Sequence, residues 1–140
     1  MVRYGGTGKE IGLLGVIALC AFLSLFVGLA GIAISKVPLW MVPFIWTVKD
    51  LFIEKIFGGF PWCQAGYSQY NNIYFIQVAE IGGIHLVTFL LVCFNVLFYR
   101  LARDFRQEEK RRVTLGIILG LFIVIYAAGY FLYRAEVNRT

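Results

Sequence analysis

Residues 11–35 form a run of 25 residues without one charged side chain. As a helix rising about 1.5 Å per residue, this run covers the roughly 30 Å hydrocarbon core of a bilayer. Residues 37–57, 73–99 and 114–133 are three further apolar stretches of comparable length. With 60% of its residues hydrophobic and a mean hydropathy of +0.77, the chain has too little polar surface to cover a globular exterior in water. The expectation is therefore an all-α integral membrane protein with four transmembrane helices, belonging to a larger helical bundle, with no room left for a soluble domain.

The four stretches are not equivalent. In the first, Ser24, Gly28, Gly31 and Ser35 recur at spacings of three and four, which suits either close packing of another helix or a plain lipid-facing surface. The second carries Pro38 and Pro43 near its start and Lys49, Asp50, Glu54 and Lys55 in its second half. Glu54 and Lys55 can reach the interface, whereas a charge at the depth of Lys49 and Asp50 costs about 2.5–3.5 kcal/mol on insertion scales. The third is interrupted by Glu80, the Gly82–Gly83 pair, His85 and Asn95, and the fourth holds Gly116 and Gly120 at GxxxG spacing.

Charge gives the orientation. Of thirteen Lys and Arg, six lie between Arg100 and Arg112, so the net charge of +5 is concentrated in one loop. That pattern fits a cytoplasmic membrane surface and not a nucleic-acid partner. With the basic loop 100–113 inside, the connection 58–72 lies outside, and both chain ends emerge on the outer side. An N-terminus bearing Arg3 and Lys9 on that side needs earlier spans to deliver it. The first run is too long for a signal-peptide core and lacks a convincing cleavage site, so the chain reads as incomplete at both ends.

Counted from the outer ends at Phe57 and Ile73, Asp50 and Glu80 each lie seven residues in, roughly 10 Å deep. Lys49 is one residue deeper. A Lys49–Glu80 pair, or a proton shared by Asp50 and Glu80, would relieve charges that lipid cannot solvate; the four polar residues Lys49, Asp50, Glu80 and His85 either pin helices together or relay protons. The three cysteines imply no disulfide framework. Cys20 and Cys93 sit in apolar runs, and Cys63 has no His or carboxylate nearby in sequence to make it a thiolate. No metal-ligand spacing, phosphate loop or cofactor motif is present, so no catalytic residue, metal or cofactor is assigned. In the outer connection, Phe60, Pro61, Trp62, Tyr67, Ser68 and Gln69 place aromatic and polar groups at headgroup level, as a lining for lipid substrates or merely as a turn.

Several segments resemble one family. Tyr4-Gly5-Gly6, Ile45-Trp46-Thr47 followed by Asp50, Gly59-Phe60-Pro61-Trp62, Gly66-Tyr67-Ser68-Gln69, Gln77-Val78-Ala79-Glu80, Gly83, Thr88-Phe89-Leu90 and Asn95 are similar to the bacterial apolipoprotein N-acyltransferases. The likeness covers nearly the whole chain, and the GFPW and GYSQ segments, four residues apart, are its most specific part. Asp50 stands where the family has glutamate, Ile53 where it commonly has arginine, Cys63 for an aliphatic residue and His85 for the common tyrosine. The missing arginine puts in doubt any ion pair made at that depth.

The resemblance implies the membrane portion of an enzyme of the bacterial inner membrane. That enzyme moves an acyl chain from a phospholipid donor to the α-amino group of a lipoprotein's diacylglyceryl-cysteine. It also implies a periplasmic nitrilase-like domain carrying a Glu-Lys-Cys triad, to which none of these 140 residues corresponds. The rival expectation is a non-enzymatic membrane scaffold or transporter-like subunit, with Lys49, Asp50, Glu80 and His85 as an ion path.

Overall fold

The computed structural model describes residues 9–56 and 64–138. The described residues are almost entirely helical, and three of their helices are long and apolar enough to cross a membrane. The first is α1, Lys9–Ser35, of 27 residues and about 40 Å. Its serines need no partner helix: Ser24 Oγ donates to the carbonyl of Ala21 at 2.9 Å and Ser35 Oγ to that of Ile32 at 2.8 Å. Pro38, held extended at φ −66° and ψ 152°, then redirects the chain into one 3₁₀ turn, Leu39–Met41.

Helix α2, Val42–Lys55, follows with Pro43 in its first turn, where a missing N–H costs nothing. Its 14 residues reach only about 21 Å. The stretch 37–57 therefore does not supply a fourth helix of spanning length. Pro38 shortens it at one end, and at the other the backbone leaves helical geometry at Ile56, with φ −78° and ψ 137°.

The stretch 73–99 is also divided. Asn72 caps the four-residue α3, Ile73–Ile76, by accepting from the N–H of Phe75 at 3.4 Å. Helix α4, Ala79–Arg103, then begins, but its regular ladder is broken at Gly82, with φ −138°, and at Gly83, with φ +65°. The second value lies in the left-handed region that only glycine adopts cheaply. The unbroken part of α4, from Ile84 onward, is about 20 residues and roughly 30 Å long. Asp104 ends it, and α5, Glu108–Val137, returns for 30 residues. The basic loop is thus mostly helix ends, with only residues 104–107 outside α4 and α5.

The core lies where α4 meets its neighbours. Phe75, Val78, Val87 and Ile125 are buried together, and Val87 and Thr88 are wholly enclosed. Helix α3 seats on α5 at Gly129, where a Cβ atom would overlap the carbonyl oxygen of Tyr74, so only glycine permits the approach. Asn72 Nδ2 donates to the Tyr126 hydroxyl at 2.6 Å, and the Tyr74 ring lies 6.1 Å from Tyr130 and 5.9 Å from Tyr133. Helix α1 leans on α2 and is otherwise open; the spaces above Gly28, Gly31, Gly116 and Gly120 are all empty.

Candidate functional site

Along α2, Thr47, Asp50 and Glu54 follow one another at spacings of three and four, and so share a face. That face meets α4. Asp50 is 2% exposed. Its oxygen Oδ1 lies 2.5 Å from Nζ of Lys49, which in turn sits 4.4 Å above the Trp46 ring. A carboxylate and an ammonium adjacent in sequence thus neutralise each other inside the bundle. The second Asp50 oxygen, Oδ2, is buried with no hydrogen-bond partner among the described residues.

One turn further along α2, the Glu54 oxygen Oε2 joins three segments. His85 Nε2 of α4 lies 2.7 Å from it, and Gln64 Nε2, from the connection after α2, donates at 3.3 Å. A second fastening follows at once. Gly66, in the 3₁₀ turn Ala65–Gln69, donates its N–H to Thr88 Oγ1 at 3.0 Å. A Cβ at Gly66 would lie 2.8 Å from the Ile84 carbonyl and 2.9 Å from Thr88 Oγ1, so the turn rests on α4 through bare backbone. Around this joint, Thr47 Oγ1, Asp50 Oδ2, Gln64 Oε1 and His85 Nδ1 are all buried without partners among the described residues. The arrangement gathers oxygen acceptors, a hydroxyl and an imidazole nitrogen where α2, the connection after it and α4 meet. No group of three or more His, Cys, Asp and Glu suited to a metal occurs among the described residues.

The residues singled out in the sequence are only partly brought together. Lys49 and Asp50 pair with each other, His85 pairs with Glu54, and Glu80 is exposed. The expected Lys49–Glu80 pair and the shared proton between Asp50 and Glu80 do not occur, because the break at Gly82–Gly83 removes Glu80 from the register of the helix beyond it. Nor do the four residues form one continuous path. Tyr67 and Ser68 are exposed on the turn; Ser68 Oγ donates to the Ala65 carbonyl at 2.8 Å and accepts from Gln69 Nε2 at 3.1 Å. Phe60, Pro61, Trp62 and Cys63 lie outside the described residues. Glu54 and Gln64 are the members that sequence reasoning missed. The spacing of Glu54 from Asp50 was the available signal; for Gln64 there was none.

At the opposite end of α4, Arg103 donates to Asp104 through Nε at 3.1 Å and Nη2 at 3.4 Å. These hydrogen bonds hold the Asp104 carboxyl below the usual carboxylate range, against a smaller opposing effect of desolvation, and the charges of Arg103, Lys110 and Arg100 add to the lowering.

Three apolar helices and a polar joint beneath a docked turn define a multi-pass α-helical membrane protein. Comparison with known proteins narrows the class: residues 1–97 match the family model described as apolipoprotein N-acyltransferase N-terminal domain, and the chain belongs to that family. It is similar to the apolipoprotein N-acyltransferase of Geobacter metallireducens, 32% identical over 89 residues, which are 60% of this chain and 17% of the relative. The Pasteurella multocida protein of the same name is 31% identical over 126 residues, 87% of this chain and 24% of that protein. That of Vibrio cholerae is 30% identical over 136 residues, 91% and 25% respectively. The chain thus spans about a quarter or less of the length of these relatives.

Proposed function

We propose that this chain forms the membrane part of an apolipoprotein N-acyltransferase, supporting transfer of an acyl chain from a phospholipid to the N-terminal amine of a diacylglyceryl-cysteine lipoprotein. The observation that carries the reading is the family match over residues 1–97, the region that contains the joint at Glu54, Gln64, His85 and Thr88. In this reading the segment from Phe60 to Gln69 faces the lipid and the acceptor at headgroup level. The two bonds from Gln64 and Gly66 hold its second half in place against α2 and α4. Lys49 and Asp50 pin the bundle electrostatically beneath it.

The proposed setting is the bacterial inner membrane, with the basic ends of α4 and α5 in the cytoplasm and both termini of the chain on the periplasmic side. The concentration of six Lys and Arg between residues 100 and 112 supports that orientation. In this reading the stretch 37–57, which contains α2, is the fourth crossing. The acyl-thioester chemistry belongs to a Glu-Lys-Cys triad outside these residues.

The test is Trp62→Ala in the full-length protein that carries this chain, assayed for N-acylation of a diacylglyceryl lipopeptide with phospholipid as donor. Activity per inserted molecule is expected to fall tenfold or more, about 1.4 kcal/mol in transition-state terms. Unchanged specific activity removes Trp62 from the substrate lining. Loss of activity in proportion to protein level makes it a structural anchor.

A further inference from the structure

Between the end of α4 and the start of α5 lies an open groove of about 490 Å³. Arg100, Arg103 and Lys110 line it with Asp104 and Glu109, while Val113 and Ile117 continue it along α5. The charges do not cancel. Asp104 is taken up by two bonds from Arg103, and Glu109 balances one of the two remaining cations. Arg100 and Lys110 make no ion pair among the described residues, and Arg100 Nε is shielded from solvent without a hydrogen-bond partner. The contrast with the rest of the loop is direct, since Glu108 holds Arg112 at 2.8 Å and Arg111 at 3.9 Å on another side of α5.

Polarity changes sharply along the groove. Val113 and Ile117 are spaced by four on one face of α5 and remain half exposed, so an apolar track leads from the basic rim onto the lipid-facing surface of that helix. A ligand that satisfies both ends carries a negative group and a hydrocarbon chain. Free phosphate uses the rim and leaves the track bare; a choline headgroup brings its own cation to a rim already positive. We infer that this groove binds an anionic glycerophospholipid, its phosphate between Arg100 and Lys110 and one acyl chain along Val113 and Ile117. Guanidinium and ammonium donors at the ends of neighbouring membrane helices are the usual chemistry for holding such headgroups.

The experiment reconstitutes the full chain in phosphatidylcholine vesicles containing a minor fraction of phosphatidylglycerol. Spin-labelled lipids then report the fraction of each headgroup immobilised by the protein. The expected result is a clear preference for labelled phosphatidylglycerol over labelled phosphatidylcholine, reduced about fivefold for each basic residue removed in Lys110→Gln and in Arg100→Gln/Lys110→Gln. Lys110 is exposed, so its single replacement leaves packing intact. Arg106→Gln removes an exposed loop charge that does not line the groove and is expected to keep the preference. No preference in the unaltered chain overturns the assignment. So does an equal loss in Arg106→Gln, which reduces the effect to diffuse surface charge, or an undiminished preference in both Lys110 variants.

Discussion

Helix α1 and the half of the chain from Gln64 onward solve the same solvent problem differently. Most side chains of α1 face outward, Ala30 is the only buried one among those described, and its serine hydroxyls close on its own backbone. In lipid such a helix is stable because its polar backbone is internally satisfied, whatever stands beside it. From Gln64 onward the chain has α3, a broken α4 and a 3₁₀ turn, each of which leaves backbone groups without the usual partners. Those segments are held by specific contacts: Gly66 to Thr88, Asn72 to Tyr126, Tyr74 against Gly129. The lesson is that the irregular backbone of this bundle is tied to particular neighbours, whereas its regular apolar helix is not.

Four experiments probe that contrast. The largest effect is expected from Gly129→Val, because a Cβ there overlaps the Tyr74 carbonyl and a backbone atom cannot swing aside. Displacing α3 should cost about 3 kcal/mol or more, read as a lower denaturant midpoint of the chain reconstituted in bicelles. An unchanged midpoint would show that α3 does not seat on α5 there. Next comes Thr88→Val, which is close to isosteric but strands the buried Gly66 N–H; about 1–3 kcal/mol should be lost, with Thr88→Ser restoring most of it. Equal stability of the Val and Ser variants would argue against the turn's docking.

A smaller effect attaches to Glu54. Its side chain is 41% exposed, so the pairing with His85 is partly screened, and a double-mutant cycle of Glu54→Gln with His85→Phe should give a coupling of about 1 kcal/mol or less. Independent effects of the two changes would dissolve the proposed joint. The smallest is Gly28→Ala in α1. The space above Gly28 is open, so the change should fall within about 0.5 kcal/mol of neutral, or slightly stabilise through helix propensity. A marked loss would mean that α1 has a tight neighbour after all and would erase the contrast.

The two long uninterrupted helices were legible because their signal is redundant: dozens of apolar residues report the same fact. The apolar runs 11–35 and 114–133 lie within Lys9–Ser35 and Glu108–Val137. The second and third runs were harder, since hydropathy registers apolar content but not the path of the backbone. Pro38 and Pro43 were visible in the sequence, yet α2's short length became plain only where Ile56 turns extended. Depth counting from Ile73 assumed one continuous helix. The turn at Gln77 and Val78, between the end of α3 and the start of α4, breaks that assumption, so the depth assigned to Glu80 does not hold and the pair built on it is not made. Glu54 was expected to reach the interface, and its turn toward His85 instead depends on a contact between α2 and α4 that no local pattern encodes.

The bond between Asn72 and Tyr126 joins residues 54 positions apart, and so has a consequence in time. A ribosome adding roughly 5–20 residues per second needs about 3 to 11 s to make the chain between them. Throughout that interval α3 exists without the helix it rests on. Synthesis of α5 therefore completes the seat of a segment made earlier, and a pause between Arg103 and Gly129 would prolong the vulnerable interval while leaving α1 untouched.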